Sequence, residues 1–334
     1  MPANKVFILG ATGYIGGAIL SELRRNHPEY TFTALARKDE DIQALEKIGV
    51  KGIKGTFLDI DKIEQESREA DVVINAADAD DMGLVKAIIK GLKSKKERGI
   101  LIQTSGTGLL NNNYNGELRP EDSKIWNDND TSRHPVSSHD IAGIPPEAHH
   151  RDVDLEIFAA HERGDVDAYI IAPSCIYGVG DGPVKRISQQ IPVMINISIK
   201  NKQAVYVGKG TNVWGNVHIN DLVKLYELVL QRAISVRDGK TPRPAKFENF
   251  YFGSAGEHAW GDIAKHLGPL LHKKGKADTP EARSITADEM KWPAVATNSR
   301  SVAERSRSLG WNPTAKSVLE TLEDDLNAVL TTLN

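Results

Sequence analysis

Val6-Phe7-Ile8-Leu9-Gly10-Ala11-Thr12-Gly13-Tyr14-Ile15-Gly16-Gly17 is the stretch that decides how this 334-residue chain folds. Four apolar residues run into Gly10, and glycines 10, 13 and 16 lead into the amphipathic segment Ala18-Ile19-Leu20-Ser21-Glu22-Leu23. A backbone that turns sharply from strand to helix needs positions free of Cβ strain, and a phosphate reaches amide groups only where no side chain intervenes. The helix start behind the turn offers unpaired N–H donors and the positive end of a dipole, which suits a pyrophosphate. Strand, glycine turn and helix in that order form the pattern of a dinucleotide site. Gly10, Thr12, Gly13, Tyr14, Ile15 and Gly16 are therefore the first candidate cofactor contacts.

Outward from this turn, strand-like and helix-like segments alternate as far as Ser105. Val6–Leu9 precedes a helix over 14–26, and Thr31–Ala36 precedes one over 39–48. Gly52–Phe57 is followed by a helix over 61–69 and Asp71–Asn75 by one over 82–96, before a strand Gly99–Thr104. This spacing predicts an α/β fold, a doubly wound parallel sheet of Rossmann type with helices on both faces. Runs such as Val72-Val73-Ile74 are apolar throughout, as strands covered on both faces should be.

Residues 106–146 break the rhythm. They are rich in Asn, Asp, Ser, Gly and Pro and read as a substrate lid, a binding loop or a plain insertion. Pro145-Pro146-Glu147 predicts the first turn of a helix reaching about residue 163, and Ala168–Ile171 a sixth strand. Beyond Gly182 the pattern predicts strands at 204–207 and 214–219, a helix Leu222–Arg232, a strand Phe250–Phe252, and helices at 260–273 and 315–332. Residues 1–180 then form the dinucleotide-binding domain, with 106–146 as its insertion loop. Residues 181–334 form mainly a smaller C-terminal substrate lobe, from which 212–232 and 248–253 pack back on the core.

Bulk properties exclude several classes of function. A net charge of −3 gives no basis for a nucleic-acid or anionic-membrane surface. No apolar run approaches membrane-spanning length. The single cysteine, Cys175, precludes an internal disulfide and fits a reducing compartment. The first strand begins almost at the N-terminus, so no signal peptide is expected and the cytoplasm is the expected location. The expected partner is a small-molecule substrate.

The end of the second strand bears on cofactor type. Sites for NAD usually place an acid there, whereas an arginine suits a 2′-phosphate. Here Arg37 and Lys38 follow Ala36, and a guanidinium holds a phosphate by two parallel hydrogen bonds. Asp39, Glu40 and Asp41 dilute that positive field, yet the reading favours NADP over NAD. Asp59, just past the third strand, is placed to accept from an adenine amino group.

The turn Gly10-Ala11-Thr12-Gly13-Tyr14-Ile15-Gly16 resembles the fingerprint of extended and atypical short-chain dehydrogenases/reductases, a group that includes nucleotide-sugar epimerases and NmrA-like proteins. Further matches follow in order along about 300 residues. Asn75-Ala76-Ala77 resembles the segment that lines the cofactor after the fourth strand, and Gln103-Thr104-Ser105 the serine-bearing end of the fifth. Pro173-Ser174-Cys175-Ile176-Tyr177-Gly178 resembles the segment bordering the nicotinamide. Asn216-Val217-His218-Ile219-Asn220-Asp221-Leu222 resembles the stretch that locks the substrate lobe to the core, and Leu309-Gly310-Trp311 a C-terminal signature. The resemblance implies cofactor contacts from Asn75, Ala76, Ala77, Thr104, Pro173, Cys175 and Ile176. It also implies a homodimer formed through the helices flanking the fifth strand.

One departure stands out. The family's enzymes carry a tyrosine and a lysine four residues apart before the sixth strand, the tyrosine exchanging the proton as hydride moves. None of the eight tyrosines here has a lysine four residues later. Ser105 remains to orient a carbonyl, though a serine in such a turn also serves to cap backbone groups. His150, with Asp154 one helical turn on to orient it, is a candidate proton donor. Arg151 is a candidate substitute for the lysine's charge, and Tyr177 and Tyr114 are candidate substitute phenols. Cys175 reads as a packing residue. His149 and His150 lie about 16 Å along the helix from His161, too far to share one metal, so no metal is expected. The resulting function is an NADP-dependent oxidoreductase of a small carbonyl or alcohol, with a catalytically silent NAD(P)-binding redox sensor as the alternative.

Overall fold

The structure, a computed structural model, describes residues 4–95, 97–112, 115–129 and 141–332. Its centre is a parallel sheet of seven strands: β1 (Lys5–Leu9), β2 (Thr31–Ala36), β3 (Lys51–Lys54), β4 (Val72–Asn75), β5 (Ile100–Thr104), β6 (Asp167–Pro173) and β9 (Phe250–Gly253). The spatial order is β9-β6-β5-β4-β1-β2-β3. The order in which strands are added reverses between β1 and β4, and the crevice beyond the strand ends at such a switch point is where open α/β sheets bind ligands. Helices α1 (Tyr14–Asn26), α2 (Asp39–Lys47), α3 (Ile60–Glu69), α4 (Met82–Lys93) and α5 (Arg151–Glu162) supply the crossovers.

The predicted helix over 145–163 starts later than expected. Residues 145–149 form turns, and α5 begins only after His150, whose φ of 69° lies in the left-handed region. The third strand is also shorter than predicted: the Gly55 amide still bonds the Ala36 carbonyl at 3.0 Å, but the chain then turns at 57–58 into α3.

A second lobe is built on a three-stranded sheet of β7 (Cys175–Tyr177), β8 (Val213–His218) and β10 (Gly256–Ala259), in the order β10-β8-β7. Helices α6 (Gln190–Lys200), α8 (Trp260–Lys273) and α9 (Val318–Thr332) enclose its own apolar core, which includes Met194, Trp214, Trp260 and Leu322. The intervening α7 (Ile219–Arg237) packs against α1 and belongs to the first core, as does Trp311.

Specific polar contacts join the lobes, and they connect the segments that stood out in the sequence. The Tyr14 hydroxyl, on α1, donates to the carbonyls of Tyr177 (3.1 Å) and Gly178 (2.7 Å). Gly178 has φ 87°, and a Cβ there would lie 2.3 Å from His218 Nε2, so only glycine fits against that ring. Asp221, 2% exposed, accepts at Oδ2 from the amides of Thr314 (2.9 Å) and Ala315 (2.8 Å), while its carbonyl accepts from Trp311 Nε1 at 2.7 Å.

The described part of the 106–146 insertion is a strap fastened to the second lobe. Asn112 bridges to Asn298, and residues 126–127 pair in parallel with 301–302. Asp128, buried, accepts from the amides of Phe252 and Arg305, both at 2.8 Å. Burial raises the pKa of Asp128 to about 6, with those amides opposing the shift. The lid reading for 130–140 lies outside the described residues. Among the described residues, no helix is long and apolar enough to cross a membrane.

Asp221 offers a test of this architecture. Asp221→Ala removes a charged acceptor from two backbone amides at once, and a hydrogen bond to a charged group contributes about 1.5–3 kcal/mol. Urea unfolding should show a loss of about 2–4 kcal/mol for Asp221→Ala and a smaller loss for Asp221→Asn, which keeps an acceptor oxygen.

Candidate active site

The glycine turn is shaped by close backbone approach. Gly10 has φ 84°, and a Cβ on it would sit 2.3 Å from the Ala76 carbonyl oxygen. A Cβ on Gly16 would sit 2.3 Å from the Gly10 carbonyl oxygen, so α1 starts directly against the end of β1. Gly13 opens the helix with no side-chain cap, and no acid occupies the first turn. These features fit a bound pyrophosphate, since bare amides and an unopposed dipole end face one place. Thr12 and Ile15 are half-buried beside it. Tyr14 has only its backbone to offer there, because its ring is buried and its hydroxyl is committed to the second lobe.

The neighbouring strand ends complete the cradle. Asn75 is wholly buried, donating from Nδ2 to Gln103 Oε1 at 2.9 Å and accepting from the Ala77 amide at 3.2 Å. It shapes the Ala76–Ala77 turn against which Gly10 rests. Thr104 Oγ1 and the Tyr226 hydroxyl share a 2.8 Å hydrogen bond. At the far end, Arg37 is exposed and enters no hydrogen bond or ion pair among the described residues. Lys38 pairs with Glu40 at 3.0 Å and Lys54 with Asp39 at 2.8 Å. The acids that dilute the field in the sequence thus engage the lysines and leave Arg37. Asp59 Oδ2 accepts from the Thr56 amide and hydroxyl, which hold its pKa below the usual carboxylate range.

Ser105, at the end of β5, donates from Oγ to Asp154 Oδ2 at 2.9 Å. Asp154 is fully buried on α5, and its Oδ1 has no partner among the described residues. Burial lifts its pKa to about 7, against the opposing effects of the Ser105 hydrogen bond and the nearby Arg151 charge. A carboxyl at the end of β5 that titrates near neutrality can hold or release a proton there.

Sequence reasoning named Asp154 only as a partner for His150, and that pairing does not form. His150 Nδ1 instead meets Asp80 Oδ1 at 2.6 Å, on the loop after β4. The left-handed backbone at His150 turns its ring over the Ser105 turn, with Nε2 3.3 Å from where a Cβ on Gly106 or Gly108 would lie. Burial lowers the His150 pKa, and the Asp80 hydrogen bond works against the shift. A signal for Asp154 was present in the sequence. It falls on the same helical stripe as Ile157, Phe158 and His161, an acid where the core expects an apolar residue. Asp80 gave none, since only the fold brings it to α5.

Three other candidates are placed differently from the sequence reading. Arg151 is 1% exposed, donates to the Ile141 carbonyl at 2.7 Å, and lies 5.7 Å from both the Phe158 and Phe247 rings. Its guanidinium is packed inside and not presented to a ligand. Tyr177 is 3% exposed and donates to the Lys316 carbonyl at 2.8 Å; burial pushes its pKa up, so it is a lobe tie and not a substitute phenol. Cys175 points into the second lobe's core, which fits its reading as a packing residue and not the cofactor contact that the resemblance implied, and burial raises its thiol pKa too. Strand alternation puts half-buried Ile176 on the opposite face, against the first core, near Pro173. Tyr114 lies outside the described residues. A cavity of about 700 Å³ in the second lobe, lined by Asn216, Glu257, His258 and Arg307 among others, includes no residue of the glycine or Ser105 turns.

Comparison with known proteins agrees with this geometry. Residues 10–134 match the NAD(P)H-binding family, and residues 147–241 match the NAD dependent epimerase/dehydratase family. The chain is 27% identical over 339 residues to Oxidase ucsJ of an Acremonium species, covering 96% of each protein. UDP-glucuronic acid 4-epimerase from Bacillus cereus, solved with UDP-glucuronic acid and NAD, superposes with a TM-score of 0.67 at 15% identity. That match covers 98% of this chain and 99% of the other. dTDP-glucose 4,6-dehydratase from Bacillus anthracis, in complex with NAD, superposes with a TM-score of 0.65 at 15% identity, over 98% and 97%. At such identities the two structures speak for the fold, while the sequence matches speak for NAD(P) binding. Residues 10–134 therefore carry an NAD(P)H-binding sequence and residues 147–241 an epimerase/dehydratase-like one, on a fold shared with those epimerases and dehydratases, while no tyrosine of the chain has a lysine four residues later.

Proposed function

We propose that this protein is an NADP-dependent oxidoreductase that interconverts a small carbonyl compound and its alcohol, with Ser105 and Asp154 handling the proton. The observation that carries the reading is the 2.9 Å hydrogen bond from Ser105 to the buried Asp154 at the end of β5. A bound nicotinamide supplies the hydride chemistry. In the reductive direction the Ser105 hydroxyl proton goes to the substrate oxygen, and the Asp154 carboxyl proton replaces it on Oγ, leaving a carboxylate. Oxidation runs the same transfers backwards, with the Asp154 carboxylate as the acceptor. Ser105 touches the substrate and Asp154 acts through it. The oxidase name of the Acremonium relative and the NAD in both structural neighbours support a redox role.

Arg37 supports NADP in particular, as an exposed guanidinium at the end of β2 without a hydrogen-bond or ion-pair partner among the described residues. Arg37→Ala should weaken NADPH at least tenfold in a fluorescence titration while leaving NADH within about twofold, since a charge-assisted bidentate contact contributes about 1.5–3 kcal/mol. Equal affinity of the native protein for the two cofactors would remove the NADP assignment.

The proton relay has its own signature. Reduction needs Asp154 protonated, so its rate should be level below about pH 7 and fall about tenfold per unit above it; oxidation should rise through the same range. NADPH oxidation with a panel of aldehydes, ketones and enones provides the assay. Ser105→Ala should cost about 100-fold or more, and Asp154→Asn should remove the pH inflection while cofactor binding persists. A silent panel with tight NADPH binding would instead favour a redox sensor, the reading that the missing tyrosine and lysine support.

A further inference from the structure

Asp80, His149 and His150 come together where the loop after β4 meets the start of α5, 70 residues apart along the chain. Asp80 Oδ1 lies 2.6 Å from His150 Nδ1 and 3.7 Å from His149 Nδ1. The two imidazoles stack with centroids 3.7 Å apart and planes inclined by 27°. One ligating atom from each of the three residues lies within 4.8 Å of the others.

That convergence is built by the backbone. Consecutive residues in a regular helix do not face each other. His150 departs from helical geometry with φ 69°, a conformation that is strained for a residue with a Cβ. The result is that both Nδ1 atoms face one carboxylate oxygen. The Ser105-Gly106-Thr107-Gly108 turn seats the other edge of the His150 ring, leaving Nδ1 as its outward nitrogen. Side-chain exposure of 59% for His149 and 46% for Asp80 leaves an entry path and open positions. The dipole of α5 opposes a cation here, weakly at so exposed a position. Asp78, close enough to act on the His150 charge, adds a second negative field in the cation's favour.

We propose that Asp80, His149 and His150 bind one divalent transition-metal ion of the zinc class at the edge of the Ser105 turn. Two imidazole nitrogens and one carboxylate oxygen are a donor set that zinc and its neighbours accept, with remaining positions left for water or ligand. The site stands independently of the hydride-transfer reading, and its test does not use activity.

The full chain, stripped with a chelator and dialysed, is titrated with Zn²⁺ by calorimetry and with Co²⁺ by visible absorption. The expected result is saturation at one equivalent, with d–d bands of bound Co²⁺ that Zn²⁺ displaces. His149→Ala changes an exposed side chain, and with Asp80→Asn it should weaken Zn²⁺ at least tenfold, NADPH binding confirming that each variant is folded. His266→Ala, at an exposed ring that hydrogen-bonds the Asp262 carbonyl of its own helix, should leave binding unchanged. Absence of saturable binding, or affinity unaltered by both His149→Ala and Asp80→Asn, would overturn the proposal.

Discussion

Two backbone contacts at the glycine turn carry much of this molecule. With 2.3 Å separating a Cβ on Gly10 from the Ala76 oxygen, and one on Gly16 from the Gly10 oxygen, no side chain is compatible with either position. Interiors are close-packed, so even one methyl group would push α1 away from the sheet. Helix α1 also bears Tyr14, whose hydroxyl holds the Tyr177–Gly178 turn of the second lobe. The cofactor cradle and the seating of the second lobe therefore depend on the same two glycines. A defect in the turn would reach the far side of the molecule through one phenol.

The buried acids show how one residue type serves different ends. Asp128 has the amides of Phe252 and Arg305 to stabilise its negative charge, and it fastens the strap to β9. Among the described residues, Asp154 has one hydroxyl partner and an unpartnered oxygen. Both are desolvated, and the pKa is higher where the donors are fewer, about 7 for Asp154 against about 6 for Asp128. Poor satisfaction costs stability and leaves a proton mobile at neutral pH. That is why Asp154 is read as chemical and Asp128 as structural.

Much of the fold was legible along the chain. Strand and helix periods of the first 105 residues survive with no end displaced by more than three residues, because apolar alternation and glycine punctuation are local properties. The match of His218–Asp221 and Leu309–Trp311 to separate family segments acquired a cause only in three dimensions, where Asp221 holds Trp311 and the amides after it. The site was less legible. Ser105 and the glycines could be named from local pattern, whereas Arg151, Tyr177 and Cys175 turned inward. Nothing in their immediate neighbours distinguishes a side chain facing the cleft from one facing the core. His150 was recognised, but its partner was misassigned, since helical spacing favours the i+4 acid and the left-handed backbone at His150 takes the ring elsewhere.

The sequence by itself determined that a parallel α/β sheet carries a dinucleotide cradle at its first turn, and that the usual tyrosine and lysine are absent. Short-range rules suffice for both, because the turn needs glycines at fixed spacing and a missing motif is visible in one dimension. Tertiary structure alone decided what lies beside the cradle. Asp154 reaches Ser105 across 49 positions and Asp80 reaches His150 across 70. Such pairings arise from how β4, β5 and α5 pack, and burial then sets the proton affinity of whatever the packing encloses.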